Sequence, residues 1–176
     1  MTFSKRLTTT LALRAILALF ATLLLDLQAL AGELMRVPGR PMAAEFELSA
    51  PDGSVHRLAD YRGAPLILNF WATWCPPCRA EMPSLQRAHE QLAQDGIGVL
   101  AINVGEDPET VDRFRQDFKL DLPLPIDTDT SVTQAYPMRG LPTTFVIDAQ
   151  GRLALRASGE LAWDHPEVLE RVRRLK

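Results

Sequence analysis

Cysteine and histidine are scarce in this chain: two Cys and three His in 176 residues. Tetrahedral zinc takes four ligands, and His56, His89 and His165 are scattered with no ligand spacing, so no metal site is expected. Positive charge is not in excess either. The formal net charge is −3, and without a basic face nucleic acid is excluded as a partner. There is no internal repeat, no low-complexity segment and no flavin or nicotinamide motif, so no cofactor is expected. What is present is an ordinary globular composition, 47% hydrophobic and 23% charged, in a length that fits one domain.

The N-terminus differs in kind from the rest. Lys5, Arg6 and Arg14 precede the apolar run Ala15 to Leu25, and Ala29 and Ala31 give the small-x-small pattern that a signal peptidase reads. Such a run spans about 16 Å as a helix, short of the ~30 Å of a bilayer core. Residues 1–31 therefore read as a cleaved signal peptide in preference to an uncleaved membrane anchor over Leu11 to Leu30. Either way the remaining chain is exported, with a periplasmic location expected. Without residues 1–31 it holds 16 Lys+Arg against 21 Asp+Glu.

The two cysteines, Cys75 and Cys78, are separated only by Pro76 and Pro77. In an exported chain a cysteine pair is by default a structural disulfide, but a loop this short restrains little unfolded-chain entropy. Chemistry explains the spacing better. The near-continuously apolar Pro65–Trp71 predicts a central strand covered on both faces, and a helical pattern follows the pair. At a strand-to-helix turn the Cys75 sulfur meets unpaired backbone N–H groups and the positive end of the helix dipole, which favour thiolate. Thiolate is the nucleophile of disulfide exchange, so Cys75 attacks and Cys78, one turn on, resolves. Pro76 and Pro77 stiffen the turn at early helical positions. Trp74 is expected to shield the pair, and Trp71 to pack in the core.

Residues 32–45 carry Pro38, Gly39 and Pro41 without periodicity and read as a flexible linker, leaving 46–176 as the domain. Phe46–Leu48 and Val55–Arg57 flank the turn Pro51-Asp52-Gly53 as a β-hairpin. The helix after Cys75 uses Leu85, Ala88 and Leu92, should be kinked by Pro83 and ends at Gly96. Ile97 to Val104 is a second buried strand, and Glu106-Asp107-Pro108 opens a helix on Val111, Phe114 and Phe118. A short strand at Leu124–Ile126 and a short helix capped by Thr130 or Ser131 follow. Gly140 to Asp148 reads as a turn feeding a strand, Asp148-Ala149-Gln150-Gly151 as the hairpin turn into Arg152 to Ala157, and Pro166 to Lys176 as a closing helix. The order implies an α/β fold: a mixed sheet flanked by helices.

Trp74-Cys75-Pro76-Pro77-Cys78-Arg79-Ala80-Glu81-Met82-Pro83, with Gly140-Leu141-Pro142-Thr143-Thr144-Phe145 downstream, resembles the TlpA/ResA group of thioredoxin-like thiol:disulfide oxidoreductases. The likeness runs from Phe46 to the C-terminus, including a β-α insertion around residues 97–126. It implies a thioredoxin-like fold, a redox-active Cys75–Cys78 disulfide, and a cis-proline at Pro142 facing the pair. Trp74, Pro76, Pro77, Leu141, Pro142 and Thr143 would then contact substrate. Glu81 matches the glutamate of the ResA type and would accept the proton of the resolving thiol. Asn69 stands where plain thioredoxin has a titrating aspartate. The resemblance further implies reduction of protein disulfides, in apocytochrome c or copper-assembly proteins, by a monomer recharged by a membrane-located thiol reductant.

Rival readings are a disulfide-donating oxidase, a copper-binding chaperone and a peroxiredoxin-like peroxidase. The last needs Pro and Thr where Leu68 and Ala72 stand. Blander readings make Glu81 a solvated helix acid, His89 a surface residue beside Arg87 and Glu90, Met138 and Trp163 packing residues, and Glu106-Asp107-Glu109 a helix-initiating run.

Overall fold

The computed structural model describes residues 33–176, so the expected signal peptide, residues 1–31, lies outside the described residues. Strands β1 (Met35–Arg36), β8 (Leu153–Ser158), β7 (Thr143–Ile147), β4 (Leu66–Trp71), β5 (Gly98–Val104) and β6 (Ile126–Asp127) form one sheet in that order. β4, β5 and β6 are parallel to one another, whereas β7, β8 and β1 run antiparallel to their neighbours. β2 (Glu47–Ser49) and β3 (Val55–Arg57) pair separately as the expected hairpin. The helices are α1 (Pro76–Ala93), α2 (Pro108–Phe118), α3 (Ser131–Ala135) and α4 (Pro166–Arg173).

Alternation along β4 divides the core. Ile67 and Trp71 face a cluster with Leu85, Leu92, Val111, Phe114, Val168 and Val172, so α1, α2 and α4 cover that side. Leu66, Leu68 and Phe70 face Phe46, Leu58, Val132 and Tyr136, so α3 and the N-terminal segment cover the other. All six β4 residues are buried, as a strand sandwiched between two layers requires. The stretch 97–126 contains β5, which is the parallel neighbour of β4 and thus integral to the sheet.

Residues 33–45 are not a free linker. β1 pairs with the outer edge of β8, the Val37 N–H donates to Ala154 O at 3.0 Å, and Leu153 N–H donates to Pro41 O at 2.8 Å. Leu34 enters one core cluster and Ala43 the other. Pro38, Gly39 and Pro41 break periodicity because the arm turns between two anchor points, while its backbone still completes the sheet edge.

α1 stops where Gly96 predicts. Gly96 N–H donates to Ala93 O and Ile97 N–H to Leu92 O, with Gly96 at φ +69°, a Schellman arrangement. Pro83 lies inside α1, an 18-residue helix that runs on past it to Ala93. The expected caps of α3 do not form: Thr130 makes no side-chain cap bond. Asp127 replaces them, accepting from Val132 N, Thr133 N and Thr133 Oγ1 at 3.2, 2.7 and 2.6 Å.

Candidate active site

The cysteine pair sits at the C-terminal end of β4. Cys75 is the N-cap of α1, in extended conformation, and Pro76 and Pro77 occupy the first helical positions, where no N–H is needed. Cys75 N–H closes the turn onto Ala72 O at 3.2 Å. Cys75 and Cys78 are joined in a disulfide, and the Cys78 N–H points at Cys75 Sγ at 3.4 Å. That amide, together with the start of an 18-residue helix, is the donor set that favours a Cys75 thiolate once the bond is reduced. Both sulfur-bearing residues are buried, Cys75 at 4% exposure and Cys78 at 0%.

Trp71 and Trp74 divide as expected for one and not for the other. Trp71 is core, its Nε1–H donating to Ala101 O at 3.1 Å. Trp74 is 68% exposed, so it projects an aromatic surface beside Cys75 instead of being packed down as a cover. Pro76 and Pro77 are exposed with it.

The Leu141–Pro142 peptide bond is cis. Thr143 pairs with Phe70 across β4 and β7, which places Pro142 at the same end of β4 as the cysteine turn. Leu141 is half-buried and packs on both core clusters. Thr143 is buried and its Oγ1 donates to Gly140 O at 2.7 Å. That bond closes the loop, and Thr143 still lines the surface depression beside Pro142. A depression of about 420 Å³ lies here, bounded by Arg139, Leu141, Pro142, Arg156 and Ser158.

Glu81 is not a solvated helix acid: its exposure is 1%. One turn beyond Cys78 on α1, it accepts from Asn69 Nδ2 at 2.7 Å, Trp163 Nε1 at 3.2 Å and Leu161 N at 3.3 Å. Burial nevertheless dominates over these three donors and pushes its pKa up to about 7. Asn69 also donates to Thr144 Oγ1 at 2.8 Å, and its own Oδ1 has no partner among the described residues. Trp163 is fully buried; with Ser84 Oγ, which accepts from Trp163 N at 3.2 Å, it ties the β8–α4 loop to α1. Met138 packs half-buried against the second core cluster.

Two further expectations need correcting. His89 is half-buried with Nδ1 unpartnered among the described residues, and burial lowers its pKa. The acidic run at 106–109 is split in function. Asp107 caps α2 through Thr110 N at 2.9 Å, but Glu106 turns back to the cysteine loop, accepting from Thr73 N at 2.7 Å, Thr73 Oγ1 at 2.5 Å and Asn103 Nδ2 at 2.6 Å. Reading the run as helix initiation missed this. Its position just past the C-terminal end of a parallel strand next to β4 was the available signal, since sites in open α/β sheets gather there.

Leu68 and Ala72, at the positions where a peroxidase needs Pro and Thr, are both fully buried; neither carries a hydroxyl. Among the described residues, no three His, Cys, Asp or Glu come together as a metal site.

Residues 40–156 match the AhpC/TSA family. The chain is 42% identical over 119 residues to the thiol-disulfide oxidoreductase ResA of Geobacillus thermodenitrificans, covering 68% of each chain. It is 34% identical over 119 residues to ResA of Bacillus subtilis, covering 68% of this chain and 66% of that one. A secreted thiol-disulfide isomerase from Corynebacterium glutamicum superposes with a TM-score of 0.70 at 27% identity, over 81% of this chain and 90% of that one. A thioredoxin-family thiol:disulfide interchange protein from Chlorobium tepidum gives 0.68 at 27% identity, over 77% and 98%. Sequence match, sheet topology and a cysteine pair at the head of α1 agree, and the chain belongs to the AhpC/TSA family, as a ResA-like thiol:disulfide oxidoreductase of thioredoxin fold.

Proposed function

We propose that this oxidoreductase is exported and reduces disulfides of protein substrates, with Cys75 as the attacking thiolate. The observation that carries the reading is the seat of Cys75 Sγ at the N-cap of α1, within reach of the Cys78 amide. Reaction begins with the reduced pair. Cys75 thiolate attacks one sulfur of a substrate disulfide, forming a Cys75–substrate bond and releasing a substrate thiolate. Cys78 then loses its proton and attacks Cys75, giving back the intramolecular disulfide and a second substrate thiol. Two electrons pass to the substrate, and a thiol reductant at the membrane restores the pair.

Glu81 serves as the proton acceptor for Cys78 in this scheme. It lies one turn along the same helix, and a pKa near 7 matches a base that must gain and lose a proton at neutral pH. Exposed Trp74, Pro76 and Pro77, with Leu141 and cis-Pro142, supply the substrate surface. Substrates of the apocytochrome c or copper-assembly type are what the resemblance to the TlpA/ResA group implies, and export fits the secreted Corynebacterium relative.

A Cys78→Ser variant tests the assignment. In native cell envelope it should accumulate a mixed disulfide through Cys75 that is released by dithiothreitol, and the captured protein names the substrate. Trapping by Cys75→Ser instead would reverse the two roles. A reduction potential near the ~ −270 mV of thioredoxin supports the reducing direction, and one near the ~ −120 mV of a strong oxidant overturns it.

A further inference from the structure

We propose that Glu106 is a positioning residue of the redox site, fixing the turn that presents Cys75 and keeping the pair reducing through its charge. The inference rests on the reading of Cys75 as nucleophile. Parallel pairing puts Asn103 of β5 beside Trp71 of β4, so the loops leaving the two strands run side by side. Glu106 from one loop meets Thr73 from the other. Its two carboxylate oxygens take both donors of Thr73, the N–H at 2.7 Å and Oγ1 at 2.5 Å. The third polar group, Thr73 O, accepts from Arg79 Nη1 at 3.3 Å. Thr73 therefore has each of its polar groups engaged by a residue from elsewhere in the fold.

The brace is itself braced. Asn103 Nδ2 donates to Glu106 Oε2 at 2.6 Å, and Glu106 N–H donates to Asn103 Oδ1 at 3.3 Å. Arg79 lies over the stacked rings of Phe114 and Phe118 on α2, 5.6 and 5.3 Å from their centres. The β5–α2 loop and α2 thus grip the cysteine turn from one side, while α1 holds it from the other. Helix initiation needs only Asp107 and Pro108 and leaves Glu106 unexplained.

Thr73 precedes Cys75 by two residues, a span of at most about 7 Å along the chain. A carboxylate bound at Thr73 disfavours a thiolate at Cys75. The charged groups about the turn are Glu106 from the β5–α2 loop and Arg79 and Glu81 from α1. Neutralising Glu106 removes the negative charge bound at Thr73 and leaves Arg79 in place, so the Cys75 thiolate, and with it the reduced pair, becomes more stable. A more stable reduced form is a stronger oxidant.

The test uses the protein in Cys78→Ser and Cys75→Ser backgrounds, titrating the lone thiolate by its ultraviolet absorbance. The two-cysteine protein is equilibrated with glutathione in parallel. Glu106→Gln should lower the Cys75 pKa and move the glutathione equilibrium toward dithiol by about threefold or more. Thr73→Val, which keeps the charge and removes one bond, should slow disulfide exchange while leaving that equilibrium within twofold. An unshifted Cys75 pKa and equilibrium in a folded Glu106→Gln protein overturn the proposal. A shift carried by Cys78 alone would leave the brace standing and reverse the nucleophile assignment. If Glu106→Gln does not fold, Asn103→Ser decides: exchange as fast as the parent overturns the brace, and slower exchange with the parent's melting temperature upholds it.

Discussion

At the residue scale, Glu81 concentrates the chemistry that sequence alone left divided. The i to i+3 spacing from Cys78 places it on the helix, but only the fold brings Asn69, Leu161 and Trp163 around its carboxylate. Its folded pKa of about 7 lies above the ordinary 4.5, so between those values the folded protein holds a proton that the unfolded chain has released. Stability from this group is then intact below about pH 4.5 and declines as pH rises to about 7, by on the order of 3 kcal/mol at most. Glu81→Gln should flatten that decline. Urea midpoints of the oxidised protein from pH 4 to 8 check it, and parallel profiles for parent and variant would assign the proton elsewhere. The same variant should remove an inflection near pH 7 from the exchange rate. Trp163→Phe takes away one donor to the carboxylate and should move that inflection upward, since hydrogen bonds to the ionised form hold the pKa down.

At the scale of elements, the strands and helices with strong local signals were legible and those defined by distant partners were not. β4 declared itself by an apolar run broken only by Asn69, α1 by Cys75 before two prolines and Gly96 at its end, and α2 by Asp107-Pro108. α3 shows the limit. Five residues carry little pattern, and its N-terminus is capped by Asp127 on β6 and not by the adjacent Thr130 or Ser131. Asp127→Ala leaves two amides and the Thr133 hydroxyl without their acceptor, so it should cost about 1–2 kcal/mol. Asp127→Asn should recover part of that loss. Denaturant unfolding at pH 7 measures both, and a loss below ~0.5 kcal/mol for Asp127→Ala would mean that packing of Val132 and Tyr136 alone holds the helix. The site divides in the same way: Cys75, Cys78 and Pro142 were readable from motif spacing. The burial of Glu81 and the return of Glu106 to Thr73 depend on which strand lies beside β4, and no local pattern encodes that.

At the scale of the molecule, the arm before the first hairpin decides where the domain begins. Its lack of periodicity suggested a linker through residue 45, yet it covers the free edge of β8 and reaches both core layers. Leu34 is buried on the α1 side and Ala43 on the other, and the Arg40 guanidinium donates to buried Asp148 at 2.7 Å. Burying a leucine is worth about 1.5–3 kcal/mol, to which the backbone bonds to Gly151, Leu153 and Ala154 add. A bare β8 edge would also present unpaired N–H and C=O groups to another chain. Deleting residues 33–43 should therefore lower the urea midpoint and produce concentration-dependent association by size-exclusion chromatography. Restoring the segment with Leu34→Ala should cure the association, because the edge is again paired, while leaving a stability deficit of about 2–4 kcal/mol from the emptied core position. A deletion that leaves both midpoint and elution unchanged would return the arm to the role of a tether. The separation of the two effects is what identifies the arm as a strand that closes the sheet: one residue supplies core burial, and the backbone on either side supplies the edge.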